Sequence, residues 1–198
     1  MNIAILGGSF DPPHRGHTII AKRLLKLNNF DQVWLMPLFQ HPFNKSLSTP
    51  KERLEMTKLL EKDKIVVSDI EIKKRTTSYT IDTLNFLRKT NPKDKFYWII
   101  GNDQIKNFTK WKKWNQIIDN FKLIIVPRRG SKKTEEEFKN LREQISSSRN
   151  ITVINKGKFP PISISSTFIR KRIKNKKPIS NMVPKEVERY IIQHKLYE

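Results

Sequence analysis

The alternation of apolar and polar segments along the chain predicts six β-strands. Each is a short apolar run rich in valine and isoleucine, as is typical of strands that are covered on both faces of a parallel sheet. The predicted strands are Ile3–Leu6, Gln32–Met36, Ile65–Ser68, Phe96–Ile100, Lys122–Val126 and Ile151–Ile154.

Between these runs, longer segments with apolar residues at helical spacing predict α-helices. The clearest start is at Thr49, a capping residue that is followed by a proline at the first helical position and by Glu52 three residues after the cap. Strands that alternate with helices indicate an α/β fold with a parallel sheet. The predicted helices are His17–Leu27, Pro50–Lys62, Tyr79–Lys89, Trp111–Asn120, Thr134–Ser147, Ser166–Ile173 and Pro184–His194.

Length and composition narrow the class of protein. The chain has 198 residues and no cysteine, so we expect one domain over residues 1–198, without disulfides or thiolate metal sites. The apolar run at the start of the chain is too short for a signal peptide, and no run approaches the ~20 apolar residues of a membrane span. We therefore expect a cytoplasmic protein with no membrane partner.

The net charge of +21, from 40 lysines and arginines against 19 acidic residues, suggests nucleic-acid binding as one interpretation. The basic residues are spread along the chain, however, and are not gathered in one tail. We therefore interpret most of them as a solvated surface and do not expect a nucleic-acid partner. A positive field would still attract anionic nucleotides.

Residues 7–17 carry the strongest chemical signal, because a glycine-rich turn with two prolines joins the first predicted strand to a helix start. The N terminus of a helix favours phosphate through its unpaired N–H groups and positive partial charge. His14 and His17 can turn their rings to the same side and donate hydrogen bonds to phosphate oxygens. The spacing matches neither the dinucleotide-binding fingerprint nor the P-loop. The turn therefore predicts a nucleotide phosphate site without a protein nucleophile.

Residues 8–12, followed by His14 and His17, resemble the first motif of the nucleotidylyltransferase superfamily, the HIGH-like enzymes. Ile164–Arg170 resembles the second motif of that superfamily, and residues 183–197 resemble its closing helix. The two prolines before the first histidine resemble the bacterial nicotinate-nucleotide adenylyltransferases in particular. The resemblance covers essentially the whole chain, and it implies a Rossmann-like open parallel sheet with helices on both faces.

The resemblance also implies a reaction, the transfer of AMP from ATP to nicotinate mononucleotide, which gives nicotinate adenine dinucleotide and pyrophosphate in NAD biosynthesis. The catalytic residues would be His14, His17 and Arg170, and Mg²⁺ would enter with ATP because no carboxylate cluster is available to hold it. A homo-oligomer is left open. The residues implied for ATP are Gly8, Ser9, Phe10, His17, Gly101, Asp103, Ser166, Thr167 and Arg170, and those for nicotinate mononucleotide are Ser9, Lys45, Tyr79, Thr80 and Trp111.

Several of these positions also have an ordinary structural interpretation. Asp103 would serve equally well as the cap of the helix after the fourth strand, and Lys45 as a solvated loop lysine. Ser78 or the threonine before it would cap the helix that begins near Tyr79. The tryptophans of the Trp111–Trp114 segment have the spacing of a core-facing stripe, of which Trp111 is the better site candidate while the second is expected to pack.

Three further residues have competing interpretations. Arg53 corresponds to an arginine that lies near the substrates in the resembled family, but such a residue is more often a surface charge. Asp11 is better explained as a turn-former than as a base. The second motif taken alone would be a serine cap with a surface arginine, Arg170. Paired with the first motif it is expected to form an anion clamp, which the resemblance assigns to the β- and γ-phosphates of ATP.

Alternative functions fall into three classes. A sister adenylyltransferase would act on pantetheine phosphate or on nicotinamide mononucleotide. The double proline, residues 78–80 and Trp111 disfavour pantetheine phosphate. Nicotinamide mononucleotide stays open, because backbone amides and the shape of the site decide between the acid and the amide. A basic nucleic-acid-binding module would show steeply salt-dependent binding. A nucleotide-binding regulator without catalysis is disfavoured by the two intact phosphate motifs.

Overall fold

The computed structural model describes residues 1–27, 30–43, 45–127, 150–154 and 162–198. The strands form one six-stranded parallel sheet, and its order is that of a doubly wound α/β fold. All six predicted strands, and the predicted Rossmann-like class, are confirmed. The strands are β1 (Asn2–Gly8), β2 (Gln32–Pro37), β3 (Ile65–Val67), β4 (Lys95–Gly101), β5 (Lys122–Val126) and β6 (Ile151–Val153), in the spatial order β3-β2-β1-β4-β5-β6.

Helices flank the sheet, and most of the predicted ones are confirmed within a few residues. The helix predicted over Thr134–Ser147 lies outside the described residues. Two short helices, α3 and α5 below, were not predicted, because neither is long enough to show a helical period of apolar residues. The helices are α1 (Arg15–Lys26), α2 (Pro50–Lys58), α3 (Ile70–Lys74), α4 (Thr80–Thr90), α5 (Ile105–Phe108), α6 (Trp114–Asn120), α7 (Ser166–Lys174) and α8 (Lys185–Gln193), and a 3₁₀ turn spans Asn102–Gln104.

The predicted start of α6 at Trp111 is wrong by three residues. Lys113 has a φ of 51°, in the left-handed region, and a residue there cannot belong to a right-handed helix. The helix therefore begins at Trp114, and the two tryptophans do not share one helical face.

One compact unit consists of residues Met1–Leu6 and Tyr79–Ser163. Its β4 pairs in parallel with both β1 and β5, so that Ile3 is in register with Phe96. Helix α4 packs on β4 and on α6. The wholly buried side chains of Ile3, Leu84 and Ile117 lie in its core. The continuous apolar runs of these strands are thus explained by burial on both faces.

The other compact unit consists of residues Gly7–Ser78 and Ile164–Glu198. Its β2 pairs with β3, and helices α1, α2 and α3 contact β2. Leu24, Val33 and Met56 are wholly buried in its core, and burial of each such side chain stabilises the fold by about 1.5–3 kcal/mol. The single domain expected over residues 1–198 stays a prediction.

The predicted capping box of α2 is confirmed. The Thr49 hydroxyl accepts the N–H of Glu52 at 3.2 Å, and the Glu52 carboxylate accepts the N–H of Thr49 at 2.8 Å. Two N–H groups at the start of the helix thereby gain partners.

In the described part of the chain, no helix has the length and apolar character needed to cross a membrane.

Replacing the cap should weaken the fold measurably. We expect Thr49→Ala to lower the free energy of unfolding by about 1 kcal/mol, because the first turn of α2 loses its side-chain acceptor. Urea denaturation followed by circular dichroism measures the change. Thr90→Ala is the matched control, since Thr90 bonds carbonyl oxygens at the end of α4 and caps no N–H group. Equal losses in the two variants would contradict the capping role.

Candidate active site

The first-motif turn runs from the end of β1 to the start of α1, over residues 8–15. Phe10 is 2% exposed and has a φ of 49°, and its ring centroid lies 4.6 Å from that of His17. A Cβ on Gly8 would stand 3.5 Å from the Phe10 ring, an ordinary contact. The packing of the turn therefore does not itself require glycine at position 8.

The two histidines of the motif lie together, as predicted. Their rings stack with centroids 3.8 Å apart, and His14 is 2% exposed. Nδ1 of His17 accepts the backbone N–H of His14 at 3.1 Å. Because an accepting nitrogen carries no proton, neutral His17 has its proton on Nε2 and can donate from that atom.

The N terminus of α1 offers fewer amides than the sequence suggested. The N–H of Arg15 donates to the carbonyl of Met182 at 2.8 Å, and the N–H of His17 donates to the carbonyl of His14 at 2.9 Å. Both amides belong to the first turn, where unpaired N–H groups would bind an anion. These two amides are therefore already paired within the protein.

The second motif is joined directly to the first. Ser165 caps α7 by accepting the N–H of Phe168 at 3.2 Å, as predicted for this motif. Oγ of Ser166 donates to the carbonyl of Pro12 at 2.8 Å, and Nη1 of Arg170 donates to the carbonyl of Asp11 at 2.6 Å. Arg170 is thus not a solvated surface arginine. Thr167 is exposed at the start of the same helix.

Asp11 is more than the turn-former expected from sequence. Its side chain is buried, and its carboxylate accepts the hydroxyl of Tyr197 at 2.7 Å and the N–H of Ser48 at 3.3 Å. The other carboxylate oxygen lies 3.7 Å from Nη1 of Arg170. Burial and the Asp11 carboxylate raise the pKa of Tyr197, which stays protonated and donates.

Arg53 was expected to be a surface charge, and the structure corrects this. The residue is 1% exposed, and its guanidinium donates to four carbonyl oxygens, those of Ser9, Leu38, Phe39 and Ser48, at 2.7–3.0 Å. Burial lowers its pKa, and the charge of Asp11 opposes that shift. Arg53 therefore fixes the loops that follow β1 and β2. The apolar spacing of α2 gave no sign of this, because only the loops supply the partners.

The loop after β2 contains His41 and the exposed Lys45. Burial, followed by the charges of Lys45 and Arg53, lowers the pKa of His41 to about 4. Its Nδ1 accepts the N–H of Phe43 at 3.1 Å, an arrangement that protonation of that nitrogen would break. At neutral pH this loop therefore holds an uncharged imidazole beside a lysine.

Tyr79 and Thr80 stand at the start of α4, in the unit formed by residues 1–6 and 79–163. The cap of α4 is Tyr79, which uses no side-chain bond, so the expected cap by Ser78 is wrong. The Ser78 hydroxyl instead accepts the N–H of Phe39 at 3.0 Å. Nζ of Lys112 lies 4.6 Å from the centroid of the Tyr79 ring and 2.8 Å from the carboxylate of Asp82.

The two tryptophans are not separated by burial as expected. Trp111 and Trp114 are both half-buried. Their rings both contact Phe108, with centroids 5.2 and 6.3 Å away. Trp111 lies in the turn between α5 and α6, and its backbone N–H donates to the carbonyl of Phe108 at 3.0 Å. Trp111 and Trp114 thus both pack against Phe108, and burial does not distinguish them.

Gly101 ends β4, and Asp103 follows in the 3₁₀ turn. The cap of that turn is Gly101 and the cap of α5 is Gln104, so Asp103 is not a helix cap. Its carboxylate is exposed and accepts the side-chain amide of Gln104 at 3.4 Å. An exposed carboxylate directly after a strand can accept hydroxyl hydrogen bonds from a ribose. Over the described residues, no three histidine or acidic side chains are grouped as a metal site.

Comparison with known proteins gives one consistent result. A model of the cytidylyltransferase-like family matches residues 5–172. The nicotinate-nucleotide adenylyltransferase of Bacillus subtilis is 32% identical over 99% of this chain and 98% of its own length. A probable nicotinate-nucleotide adenylyltransferase of Caldicellulosiruptor saccharolyticus is 36% identical over the full length of both chains. The solved Plasmodium falciparum nicotinic acid mononucleotide adenylyltransferase, complexed with NaAD, is 25% identical with a TM-score of 0.82 and covers 99% of this chain and 97% of its own.

Removing the Arg53 guanidinium should be strongly destabilising. We expect Arg53→Met to lower the free energy of unfolding by about 3 kcal/mol or more, because one buried and three partly buried carbonyl oxygens lose their donor at once. Urea denaturation measures the loss. Arg88→Met is the matched control at an exposed position on α4, where we expect a loss of about 1 kcal/mol or less. A similar small loss for Arg53→Met would refute its role in fixing the loops.

His41 should make the fold less stable in acid. Its pKa is about 4 in the folded protein and 6.5 in the unfolded chain, so between these values only the unfolded state takes up the proton. The free energy of unfolding should therefore fall as pH is lowered from 6.5 towards 4. His41→Gln should flatten this part of the curve, measured by urea denaturation at several pH values. His194→Gln, at an exposed position, should keep the wild-type slope.

Proposed function

Because the chain belongs to the family of nicotinate-nucleotide adenylyltransferases, within the cytidylyltransferase-like proteins, we propose that its two motifs act together on the phosphates of ATP. The enzyme is a nucleotidyltransferase of NAD biosynthesis, which transfers AMP from ATP to nicotinate mononucleotide and gives nicotinate adenine dinucleotide and pyrophosphate. The observation that carries the assignment of roles is the direct bonding of Ser166 and Arg170 to the first-motif turn.

His14 and His17 are the residues that act on the α-phosphate. The 5′-phosphate of nicotinate mononucleotide attacks the α-phosphorus, and negative charge builds on the oxygens around it. The Nε2–H of His17 donates to one of these oxygens, and stacking at 3.8 Å holds the His14 ring beside it. Donors held in place before the reaction stabilise the transition state without reorganising during it. No protein nucleophile takes part.

Arg170, Thr167 and the backbone N–H of Ser166 bind the β- and γ-phosphates and then the departing pyrophosphate, since the Ser166 hydroxyl already donates to the Pro12 carbonyl. The guanidinium has five N–H donors, and its bond to the Asp11 carbonyl uses one of them. The remaining donors, with the N terminus of α7, offer charge-assisted hydrogen bonds to the leaving group. The turn residues Gly8, Ser9 and Phe10 line the phosphate path, where the missing side chain of Gly8 permits close approach.

The other substrate groups are assigned by residue type. Asp103 accepts hydrogen bonds from the adenosine ribose, and Gly101 leaves room beside it. Nicotinate mononucleotide is bound by Ser9, Lys45, Tyr79, Thr80 and Trp111. The indole of Trp111 stacks on the pyridine ring, and Lys45 attracts the phosphate.

Mg²⁺ enters as part of the substrate, MgATP. The carboxylate within the first-motif turn, that of Asp11, is buried and bonded to Tyr197, Ser48 and Arg170, so it does not fit a metal ligand. Bound to the triphosphate, the ion neutralises charge on the oxygens of the leaving group. The cytoplasmic location and the absence of a nucleic-acid partner stay predictions.

The test is product formation from MgATP with nicotinate mononucleotide, nicotinamide mononucleotide or pantetheine phosphate offered separately. Chromatography identifies the product, and pyrophosphate release is measured in parallel. We expect clear preference for nicotinate mononucleotide. Preference for the amide would move the substrate assignment, and absence of any product would refute the function.

His17 provides the sharpest test of the mechanism. We expect His17→Ala to lower kcat by at least about 10²-fold, because a preorganised donor to the transition state is lost. His17→Asn is the companion variant, since its amide oxygen can still accept the N–H of His14 and preserve the turn. His194→Ala controls for loss of an exposed imidazole. Near-wild-type kcat in both His17 variants would contradict the role of this residue.

A further inference from the structure

The C-terminal tail folds back after α8 in a defined geometry. Lys195 has a φ of 49°, its N–H donates to the carbonyl of Ile192 at 3.2 Å, and the N–H of Leu196 donates to the carbonyl of Ile191 at 3.0 Å. These are the two hydrogen bonds of a Schellman motif, built without glycine. The next residue, Tyr197, also lies in the left-handed region, with a φ of 68°. The tail, residues 194–198, therefore has a defined, hydrogen-bonded conformation and is not a frayed helix end.

This shape delivers the Tyr197 hydroxyl to the first-motif turn. The hydroxyl donates to Oδ1 of Asp11 at 2.7 Å across 186 positions of sequence, and it is also hydrogen-bonded to the Ser48 side chain. The same buried carboxylate of Asp11 lies 3.7 Å from Nη1 of Arg170, and the backbone carbonyl of Asp11 accepts a hydrogen bond from Arg170. One carboxylate thus connects the tail to a residue assigned to the pyrophosphate.

The hydrogen bonds of the Asp11 carboxylate indicate what the Tyr197 hydroxyl does. Oδ1 accepts two bonds, and the one from Tyr197 is the shorter, at 2.7 Å against 3.3 Å for the N–H of Ser48. Without the hydroxyl, Asp11 would satisfy its charge by turning towards the guanidinium of Arg170, which lies only 3.7 Å away. A guanidinium drawn into a closer pair with a carboxylate has fewer donors for phosphate.

We propose that Tyr197 is a positioning residue for the adenylyl transfer: its hydroxyl holds the Asp11 carboxylate so that Arg170 stays available to the phosphates and the turn with the two histidines keeps its shape. This inference rests on the proposed function of Arg170. It assigns to the last turn of the chain a role in catalysis beyond closing the fold.

The experiment compares Tyr197→Phe with Tyr190→Phe in the full chain. Tyr190 is the matched control because its hydroxyl is also bonded to a carboxylate, but to that of Glu55 on α2, at 2.5 Å, instead of that of Asp11. The kcat and the KM values for MgATP and nicotinate mononucleotide are measured, together with the melting temperature. Hydrogen exchange at the amides of Arg15 and His17 is measured without substrate.

For Tyr197→Phe we expect kcat/KM for MgATP to fall about tenfold, as for loss of one hydrogen bond to a charged group, with the KM for nicotinate mononucleotide unchanged. Exchange at the two amides should be faster. Tyr190→Phe should leave the kinetics and this exchange unchanged. In an Asp11→Asn background the further effect of Tyr197→Phe should largely disappear, since the carboxylate through which it acts is absent.

Two outcomes would overturn the proposal. Wild-type kinetics and exchange in Tyr197→Phe would show that the hydroxyl positions nothing. Equal losses in both tyrosine variants, with equal falls in melting temperature, would reduce Tyr197 to a structural contact. If the wild-type enzyme makes no dinucleotide, the proposed function fails, and the exchange comparison alone decides whether Tyr197 orders the turn.

Discussion

The buried carboxylate of Asp11 is the group on which the arrangement of the two motifs depends. A carboxylate removed from water is costly unless hydrogen bonds and opposite charge replace its hydration. Here the replacements come from a tyrosine of the C-terminal tail, a backbone amide after β2 and an arginine of the second motif. Meeting the needs of one carboxylate therefore brings distant parts of the chain to the phosphate-binding turn.

Arg53 plays the corresponding part for the backbone. Loops carry carbonyl groups that no strand or helix satisfies, and buried carbonyls without a donor are destabilising. The planar, permanently charged guanidinium donates to four of them from one position. The conformations of the described loop residues after β1 and β2 thus depend in part on a side chain of α2.

The residues that position the site differ from the residues assigned to its chemistry. Asp11 and Arg53 are bonded to the protein itself, and so they hold groups in place. The stacked histidines and the partly exposed Arg170 are the groups assigned to the phosphates. Such a division suits adenylyl transfer, in which the protein mainly positions the reactants and neutralises developing charge.

The sequence by itself determined the strands, most of the helices, the cap at Thr49 and the pairing of His14 with His17, because these follow from local periodicity and spacing. It also marked both motifs, but it did not predict that Ser166 and Arg170 bond directly to the first-motif turn. Tertiary structure alone decided the roles of Asp11, Arg53 and Tyr197, as well as the break before Trp114. The partners of the first three lie in distant parts of the chain, and a buried charge acquires its role from the groups that replace its water, which no local pattern encodes.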